Sequence, residues 1–250
     1  MYIMNLFNLF KQRSATDCLA GLRCDMHSHL IPGIDDGSRD IDMSLHLITG
    51  LRDLGYKKLI TTPHSNGDYF PNTPEIIRSG LAAVQAAVKE RQIDIEIDAA
   101  AEYLLDERFS NTLDSGQPLL TFHRNWVLVE FSFVVPAMNA METLFSLQMK
   151  GYQPVLAHPE RYLYFGAERG WYDRLKEAGC LFQLNLLSLK GHYGKLAYQL
   201  AGYLIRKKYI ELLGTDLHHE KHLQLIMSSS VIHDTVAKLL DSGMIRNMEL

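Results

Sequence analysis

The chain has 250 residues, of which 47% are hydrophobic and 22% charged, and its formal net charge is −4. This composition is that of a folded globular protein and excludes a disordered, collagen-like or coiled-coil chain. No apolar stretch approaches the roughly 18 residues of a membrane span, and no basic stripe predicts nucleic-acid binding. The three cysteines, Cys18, Cys24 and Cys180, are too few for a disulfide framework, so a reducing, cytoplasmic location is expected.

The first ten residues, Met1–Phe10, are mostly apolar. No basic residue precedes them and no small-residue cleavage site follows, so they do not have the pattern of an export signal. We expect an N-terminal arm over residues 1–21 that packs on the body or on another subunit of a homo-oligomer. A single domain is expected over residues 22–250.

Downstream of the arm, strand-like apolar runs alternate with segments of helical period. About seven such units, without a linker long enough to divide domains, predict a parallel barrel that is closed or nearly closed. In chain order the units are Leu22–Met26 with helix Asp40–Leu54, Lys57–Thr62 with helix Pro74–Arg91, Ile93–Ala101, Trp126–Phe131 with helix Ala137–Lys150, Gln153–Ala157 with helix Gly170–Ala178, Leu181–Leu184 with helix Leu196–Lys208, and Tyr209–Leu213 with helix Lys221–Leu240.

Polar side chains follow the predicted strands at their carboxyl ends. His27 and His29 lie two residues apart after the first strand, so both rings point to one side of an extended segment. The carboxyl ends of the strands of a barrel meet at one mouth, so the other polar residues are expected there too. They are the Asp35-Asp36 pair, His64, Glu102, Glu130, His158, Asn185, Asp216 and His218.

Imidazole nitrogens and carboxylate oxygens suit Zn²⁺, Mn²⁺ or Fe²⁺. Each residue taken singly has an ordinary explanation as a loop anchor or half of an ion pair, but their recurrence at strand ends favours a metal site. The group holds too many ligands for a closed structural zinc site. It favours two or three ions with open positions for water and substrate.

Competing catalytic motifs are absent from the sequence. A cysteine-based phosphatase needs an arginine six residues after its nucleophile, and Cys24, Leu30 and Leu186 occupy those positions. Phosphate-binding loops, dinucleotide loops, zinc-protease helices and serine nucleophile elbows are missing as well. We interpret His219 and His222 as loop or helix-start residues rather than zinc ligands.

Several of these strand-end motifs together resemble those of the PHP (polymerase and histidinol phosphatase) superfamily. Within it, they resemble the manganese-dependent protein-tyrosine phosphatases encoded with bacterial capsule and exopolysaccharide genes. The resemblance runs from about residue 24 to the end of the chain. It rests on Asp25-Met26-His27-Ser28-His29, Pro32-Gly33-Ile34-Asp35-Asp36-Gly37, Thr62-Pro63-His64, Val129-Glu130-Phe131, His158-Pro159-Glu160-Arg161-Tyr162 and Asp216-Leu217-His218.

The resemblance implies a distorted (β/α)₇ barrel with the metal site at the C-terminal ends of its strands. It also implies two or three ions per chain, with Mn²⁺ expected and Fe or Zn as alternatives. The ligands that it implies are His27, His29, Glu102 and Asp216 for the first ion, Glu102, Glu130 and His158 for the second, and Asp36, His64 and His218 for the third.

The activity implied is hydrolysis of phosphotyrosine by direct attack of a metal-bound hydroxide, and the partner implied is a phosphotyrosine protein such as a bacterial tyrosine kinase. We expect Arg161 to clamp the phosphate as a catalytic and substrate-binding residue, with a surface ion pair as the alternative, and Tyr162 to bind substrate. Two alternatives remain at this point: a small-molecule phosphatase such as a histidinol-phosphatase, and a metal-bound scaffold without catalysis.

Overall fold

The fold was determined from a computed structural model that describes residues 15–134 and 139–250. These residues form nine α-helices, nine β-strands and several short 3-10 turns. The strands are β1 Cys24–Asp25, β2 Lys58–Thr61, β3 His64–Ser65, β4 Glu96–Ala99, β5 Glu102–Leu104, β6 Trp126–Glu130, β7 Gln153–Ala157, β8 Leu181–Asn185 and β9 Leu212–Gly214. The helices are α1 Ala15–Ala20, α2 Ile41–Asp53, α3 Pro74–Glu90, α4 Glu107–Asp114, α5 Ala140–Met149, α6 Gly170–Glu177, α7 Lys195–Arg206, α8 Glu220–Met227 and α9 Ser230–Asp241.

The strands pair in parallel throughout, which confirms the predicted α/β class. They form two sheets, one with the order β1-β2-β4 and one with the order β3-β5-β6-β7-β8-β9. The predicted strand Lys57–Thr62 matches β2 to within one residue at each end, but the predicted strand Ile93–Ala101 was wrong in its extent, because β4 covers only Glu96–Ala99. The chain leaves the first sheet after β2 and β4 and enters the second as β3 and β5. Pro63 lies at one of these crossings, where a residue without an N–H cannot extend the ladder.

Two helical predictions also need correction. The predicted helix Lys221–Leu240 is two helices, because Ser229 interrupts it and caps α9 by accepting a hydrogen bond from the Ile232 N–H at 3.4 Å. Helix α4 was not predicted; Asp106 caps it by accepting from the Phe109 N–H at 2.7 Å. The predicted start of another helix at Ala137 lies outside the described residues.

The first and last strands meet at the carboxyl end of the sheets. The Thr215 N–H donates to Asp25 Oδ1 at 2.9 Å, the Asp216 N–H donates to the His27 carbonyl at 2.8 Å, and a parallel bridge joins Ser28 to Leu217. These contacts place the polar residues that follow β1 directly beside those that follow β9.

Part of the predicted arm packs on the body of the protein. Helix α1 contacts α9, and Leu19 is fully buried. A Cβ atom at Gly21 would lie 2.7 Å from Leu240 Cδ1, so the chain passes α9 at close range. The apolar stretch Met1–Phe10 lies outside the described residues, and the boundary at residue 21 stays a prediction. Within the described part of the chain, no helix combines the length and the apolar character needed to cross a bilayer.

Candidate metal centre

The structure brings all nine predicted ligands together at the carboxyl ends of the strands. Their donor atoms form four overlapping groups, and within each group all donor atoms lie within 4.8 Å of one another. The groups are His27, His29 and Asp216; His27, Glu102 and His158; His64, Glu102 and Glu130; and His29, Asp36, His64 and His218.

The inner part of the centre is built around the carboxylates of Glu102 and Asp216. His27 Nε2 lies 3.2 Å from Glu102 Oε2 and 3.4 Å from Asp216 Oδ1. His29 Nε2 lies 3.6 Å and 3.5 Å from the same two oxygens. On the other side of Glu102, His158 Nε2 lies 2.8 Å from Oε1. Glu102 thus contacts several groups of donors, as the bridging role predicted for it requires.

The outer part of the centre opens toward solvent. His64 Nε2 lies 3.6 Å and His218 Nε2 lies 3.4 Å from Asp36 Oδ1, and the Asp36 side chain is 57% exposed. His64 also faces inward, with Nδ1 3.1 Å from both Glu102 Oε2 and Glu130 Oε1. His64 therefore joins the outer group to the inner one.

Two of the donor atoms approach each other closely without a hydrogen bond between them. His64 Nδ1 and Glu102 Oε2 are buried and 3.1 Å apart, yet neither atom makes a hydrogen bond. Buried polar atoms are nearly always paired, so close atoms that lack bonding geometry indicate lone pairs directed at a shared point. Nitrogen and carboxylate donors arranged in this way fit a divalent transition-metal ion.

Two carboxylates of the centre are held in their charged form. Burial is the largest single influence on Glu102 and Asp216 and opposes their ionisation, but the charges and hydrogen bonds of the surrounding histidines, His27 foremost, together hold the pKa of each well below its usual value. His64 adds to the effect on Glu102, and His218 adds to the effect on Asp216. Both groups are therefore available as anionic ligands.

Some histidines of the centre hold protons when no cation balances these carboxylates, because the pKa values of His27, His29 and His64 are raised. Burial alone would lower the pKa of His64, but Glu102 and Glu130 raise it to about 9. Burial instead dominates at His158 and lowers the pKa of that ring to about 4. A metal ion would replace protons at His64, while His158 is already in the neutral form that binds metals.

Two residues that the sequence analysis did not assign orient the inner histidines. Asp35 Oδ2 lies 2.8 Å from His29 Nδ1, and Gln183 Oε1 lies 2.8 Å from His27 Nδ1. Each partner fixes the ring so that Nε2 faces the centre, as is usual for metal-binding histidines. A signal for Gln183 existed in the sequence, because it is a polar residue in a strand that is otherwise apolar at its centre.

The backbone adopts a left-handed conformation at two of the predicted ligands. His158 has φ 34° and Asp216 has φ 50°. Residues other than glycine rarely adopt such angles, and they cluster at functional sites because the surrounding structure must hold them there. At His158 this conformation begins the turn Pro159–Arg161, which brings Arg161 back to the same mouth.

Arg161 lies in a cavity of about 340 Å³ that opens onto the centre. Its Nη1 donates to Asp216 Oδ2 at 2.9 Å, and its guanidinium carbon lies 4.4 Å from the Phe133 ring centre and 4.3 Å from that of Tyr193. The side chain is 24% exposed. The other residues that line the cavity are Asp36, His64, Glu130, Asp216, His218, His219 and His222.

Tyr162 lies beneath this cavity and does not line it. The residue is fully buried; its hydroxyl donates to the Ala157 carbonyl at 3.0 Å and accepts from the Phe131 N–H at 3.0 Å. The ring stacks on Phe133 with centres 5.6 Å apart. In this position Tyr162 can support the loop that carries Arg161, and direct substrate contact by it stays a prediction.

His219 caps α8 through its side chain, and His222 lies in the first turn of that helix, as the sequence analysis expected of helix-start residues. The sequence analysis missed that both also line the cavity. Neither belongs to the four groups of donor atoms that the described residues form.

Comparison with known proteins identifies relatives along most of the chain. The tyrosine-protein phosphatase YwqE of Bacillus subtilis is 27% identical over 197 residues, which cover 79% of this chain and 78% of the relative. The tyrosine-protein phosphatase CpsB of Streptococcus pneumoniae is 27% identical over 203 residues, which cover 78% of this chain and 82% of the relative.

Solved structures show the same relationship. One match comes from the crystal structures of YwqE from Bacillus subtilis and CpsB from Streptococcus pneumoniae, which are described as metal-dependent tyrosine phosphatases. Its TM-score is 0.74 and its sequence identity is 25%. The match covers 86% of this chain and 94% of that one. The histidinol phosphate phosphatase of Lactococcus lactis matches with a TM-score of 0.53 and 13% identity over 89% of this chain and 93% of its own, which shows similarity of fold alone.

The family model for capsular polysaccharide synthesis proteins of the CpsB/CapC type matches residues 23–248. The match includes every strand and all nine predicted ligands, and it confirms the resemblance inferred from the motifs. The chain therefore belongs to the CpsB/CapC family of capsular polysaccharide synthesis proteins.

Proposed function

We propose that this chain is a metal-dependent protein-tyrosine phosphatase that hydrolyses phosphotyrosine in the regulation of capsule or exopolysaccharide synthesis. The observation that carries this function is the convergence of nine histidine and carboxylate side chains beside an arginine-lined cavity. The tyrosine phosphatase activity named for the YwqE and CpsB relatives supports the same reaction here.

The proposed ligands are the nine residues of the centre, and Mn²⁺ is the proposed metal, with Fe or Zn as alternatives and two or three ions per chain. The donor set supports a transition metal over Mg²⁺, because imidazole nitrogens are poor ligands for the latter. When bound, divalent ions supply positive charge to the phosphoryl oxygens and activate water for attack.

The protein's own residues bind and orient the substrate. Arg161 presents a guanidinium whose geometry suits two phosphoryl oxygens, and its contact with Asp216 holds it beside the centre. Phe133 and Tyr193 pack against the guanidinium and line the same cavity, where they supply aromatic surface beside the phosphate site. This arrangement supports Arg161 as the residue that clamps the phosphate.

A thiolate nucleophile has no support in the structure. Cys18, Cys24 and Cys180 are all buried, and none lines the cavity. Burial raises the pKa of the Cys180 thiol to about 12, and it raises the pKa of Cys24 still further. Thiols with such pKa values are poor nucleophiles at neutral pH.

Three broader features belong to the proposal. The two sheets would form the wall of one distorted (β/α)₇ barrel, which the bridge between Ser28 and Leu217 supports. The partner would be a phosphotyrosine protein, in particular a bacterial tyrosine kinase. The place of action would be the cytoplasm, consistent with a chain of 250 residues that contains only three cysteines.

Turnover on two phosphate esters tests the function. The purified protein is supplied with Mn²⁺ and assayed on a phosphotyrosine peptide and on histidinol phosphate, with and without a chelator. We expect chelator-sensitive hydrolysis of the peptide, with a kcat/KM well above that for histidinol phosphate. Preference for histidinol phosphate would replace the proposal with a small-molecule phosphatase, and no turnover on either would indicate a scaffold.

A further inference from the structure

We propose that His222 is a substrate-binding residue whose Nε2–H donates a hydrogen bond to a phosphoryl oxygen in the cavity that also contains Arg161. The inference rests on the proposed phosphatase function. It adds a contact from α8, an element that supplies none of the proposed metal ligands.

The position of the proton on His222 follows from its surroundings. Among the described residues, Nδ1 of the ring is buried and has no hydrogen-bond partner, whereas Nε2 is not among the buried unpaired atoms and makes no hydrogen bond to another described residue. A buried N–H without an acceptor is costly, so the proton of the neutral ring belongs on the accessible Nε2. Because His222 lines the cavity, this N–H is a donor at the cavity wall.

The ring of His222 is fixed before a ligand binds. It packs edge-on against His192 and His218, with ring centres 5.2 Å and 5.8 Å apart, and its centre lies 3.9 Å from that of His219. The His222 N–H also donates to His219 Nδ1 at 3.4 Å. A donor held in place by packing loses little freedom on binding and is therefore effective.

The chemistry of the cavity identifies the group that this donor would meet. The described walls combine the guanidinium of Arg161 with the outer donors Asp36, His64 and His218. Arg161 already uses one N–H on Asp216, so an incoming phosphoryl group needs further donors for its three oxygens. Within the described part of the chain, the His222 side chain lines the cavity, makes no hydrogen bond and belongs to none of the groups of metal-donor atoms.

The test compares His222→Phe with His222→Gln in the metal-loaded protein. Phe keeps the ring packing and removes the donor, while Gln keeps a donor on a flexible side chain. Binding of inorganic phosphate is measured by calorimetry, and kcat and KM are measured on a phosphotyrosine peptide. We expect Phe to weaken phosphate binding and raise KM by about 10-fold, the effect of one hydrogen bond to a charged group, and Gln to recover part of the loss.

Lys221→Ala is the matched control, because Lys221 is the exposed neighbour on α8 and does not line the cavity; less than a twofold change is expected. Unchanged phosphate binding in His222→Phe, or a Gln variant no better than Phe, would overturn the inference. Loss of metal in His222→Phe would overturn it as well and assign the ring to support of His218. If Phe does not fold, His222→Leu takes its place.

The two proposals fail in different ways. If the wild-type protein binds phosphate through His222 but does not hydrolyse phosphotyrosine, the proposed function is wrong and the contact stands. If the wild-type protein hydrolyses phosphotyrosine but substitution of His222 leaves phosphate binding unchanged, only the proposed contact is wrong.

Discussion

At the scale of single residues, Arg161 is the side chain that we propose to clamp the phosphate. It is held by one carboxylate and two aromatic faces in a cavity, which favours the phosphate clamp over the surface ion pair considered as its alternative. We expect Arg161→Ala to lower kcat/KM by about 10²–10³, as removal of a charged donor from a transition state does. Arg161→Lys should recover only part of the lost kcat/KM, because lysine restores the positive charge but cannot donate two parallel hydrogen bonds as a guanidinium does. Steady-state kinetics on a phosphotyrosine peptide measure both effects.

Metal content serves as the control for Arg161, since the residue contacts Asp216 but is not a proposed ligand. Elemental analysis should give the same stoichiometry for wild type and both variants. Near-normal turnover in Arg161→Ala would show that the residue only forms an ion pair and does not bind the phosphate. Loss of both metal and turnover would show that its role is to hold Asp216.

Asp35 and Asp36 are adjacent, yet the structure gives them different tasks. Asp35 is buried against His29 Nδ1 and also accepts the Gly37 N–H at 3.0 Å, whereas Asp36 reaches the outer group of donors. We expect Asp35→Asn to weaken Mn²⁺ affinity by about 10-fold or more, because the neutral amide orients His29 less firmly and makes it a weaker ligand. Metal titration of the metal-free protein measures the affinity.

The contrast with its neighbour is the control for Asp35. At saturating metal, the Asp35→Asn variant should bind as many ions as the wild type, whereas the Asp36→Asn variant should bind one ion fewer. Equal behaviour of the two variants would contradict the division of tasks.

At the scale of elements, the alternation of apolar runs predicted the first residues of β6, β7 and β8 but not where the chain changes sheets. Ala100 and Ala101 continue the apolar run of the predicted strand Ile93–Ala101, and both are fully buried. The Ala100 N–H still pairs with Thr61, while the Glu102 N–H pairs with Pro63 as the next sheet begins. A change of pairing partner leaves no mark on composition, so the break was not predictable.

The candidate site was likewise predictable only in part. Its nine predicted ligands could be found because each lies in a short polar motif just after an apolar run. The roles of Asp35 and Gln183 depend on which histidine ring the fold places beside each of them. The position of the His222 side chain in the cavity depends on the orientation of α8. Contacts between segments far apart in sequence cannot be deduced from one chain without its fold.

The contact of β9 with the segment after β1 depends on Gly214. A Cβ atom there would lie 2.7 Å from both His27 Cβ and Gln183 Nε2. We expect Gly214→Ala to lower the free energy of unfolding by about 1–3 kcal/mol, the usual effect of overpacking, and to reduce metal occupancy by displacing His27. Thermal unfolding and elemental analysis measure the two effects.

Gly170→Ala is the matched control for this prediction, because a Cβ atom there meets nothing within 4 Å and its φ is not positive. It should change neither stability nor metal content appreciably. A Gly214→Ala protein with wild-type stability and full metal content would show that β9 can move away from His27 without consequence.

At the scale of the whole molecule, the centre links stability to metal and to pH. His64 has a pKa of about 9 without metal, against an ordinary value of 6.5. Its contribution to the stability of the metal-free protein is therefore complete below about pH 6.5 and is lost as the pH rises through about 9. Metal requires the neutral ring, so proton and metal compete, and stabilisation by metal should grow as the pH rises.

We accordingly expect the increase in Tm caused by Mn²⁺ to be larger at about pH 8 than at about pH 6, and chelation to remove it at both. Differential scanning calorimetry with and without metal measures the increase. His64→Gln, which cannot take up a proton in this range, should weaken the pH dependence. An increase that is equal at the two pH values, or larger at the lower one, would contradict the competition.

The hydrogen bond between Thr215 and Asp25 joins positions 190 residues apart. During synthesis the N-terminal histidines emerge early, but Asp216 and His218 leave the ribosome only after all nine described strands. A chain that stops before residue 215 can fold helices and pair its first strands, but it lacks ligands for both the inner and the outer parts of the centre. Metal uptake at full stoichiometry therefore requires a chain that extends past His218, and products that stop earlier would remain inactive whatever the metal supply.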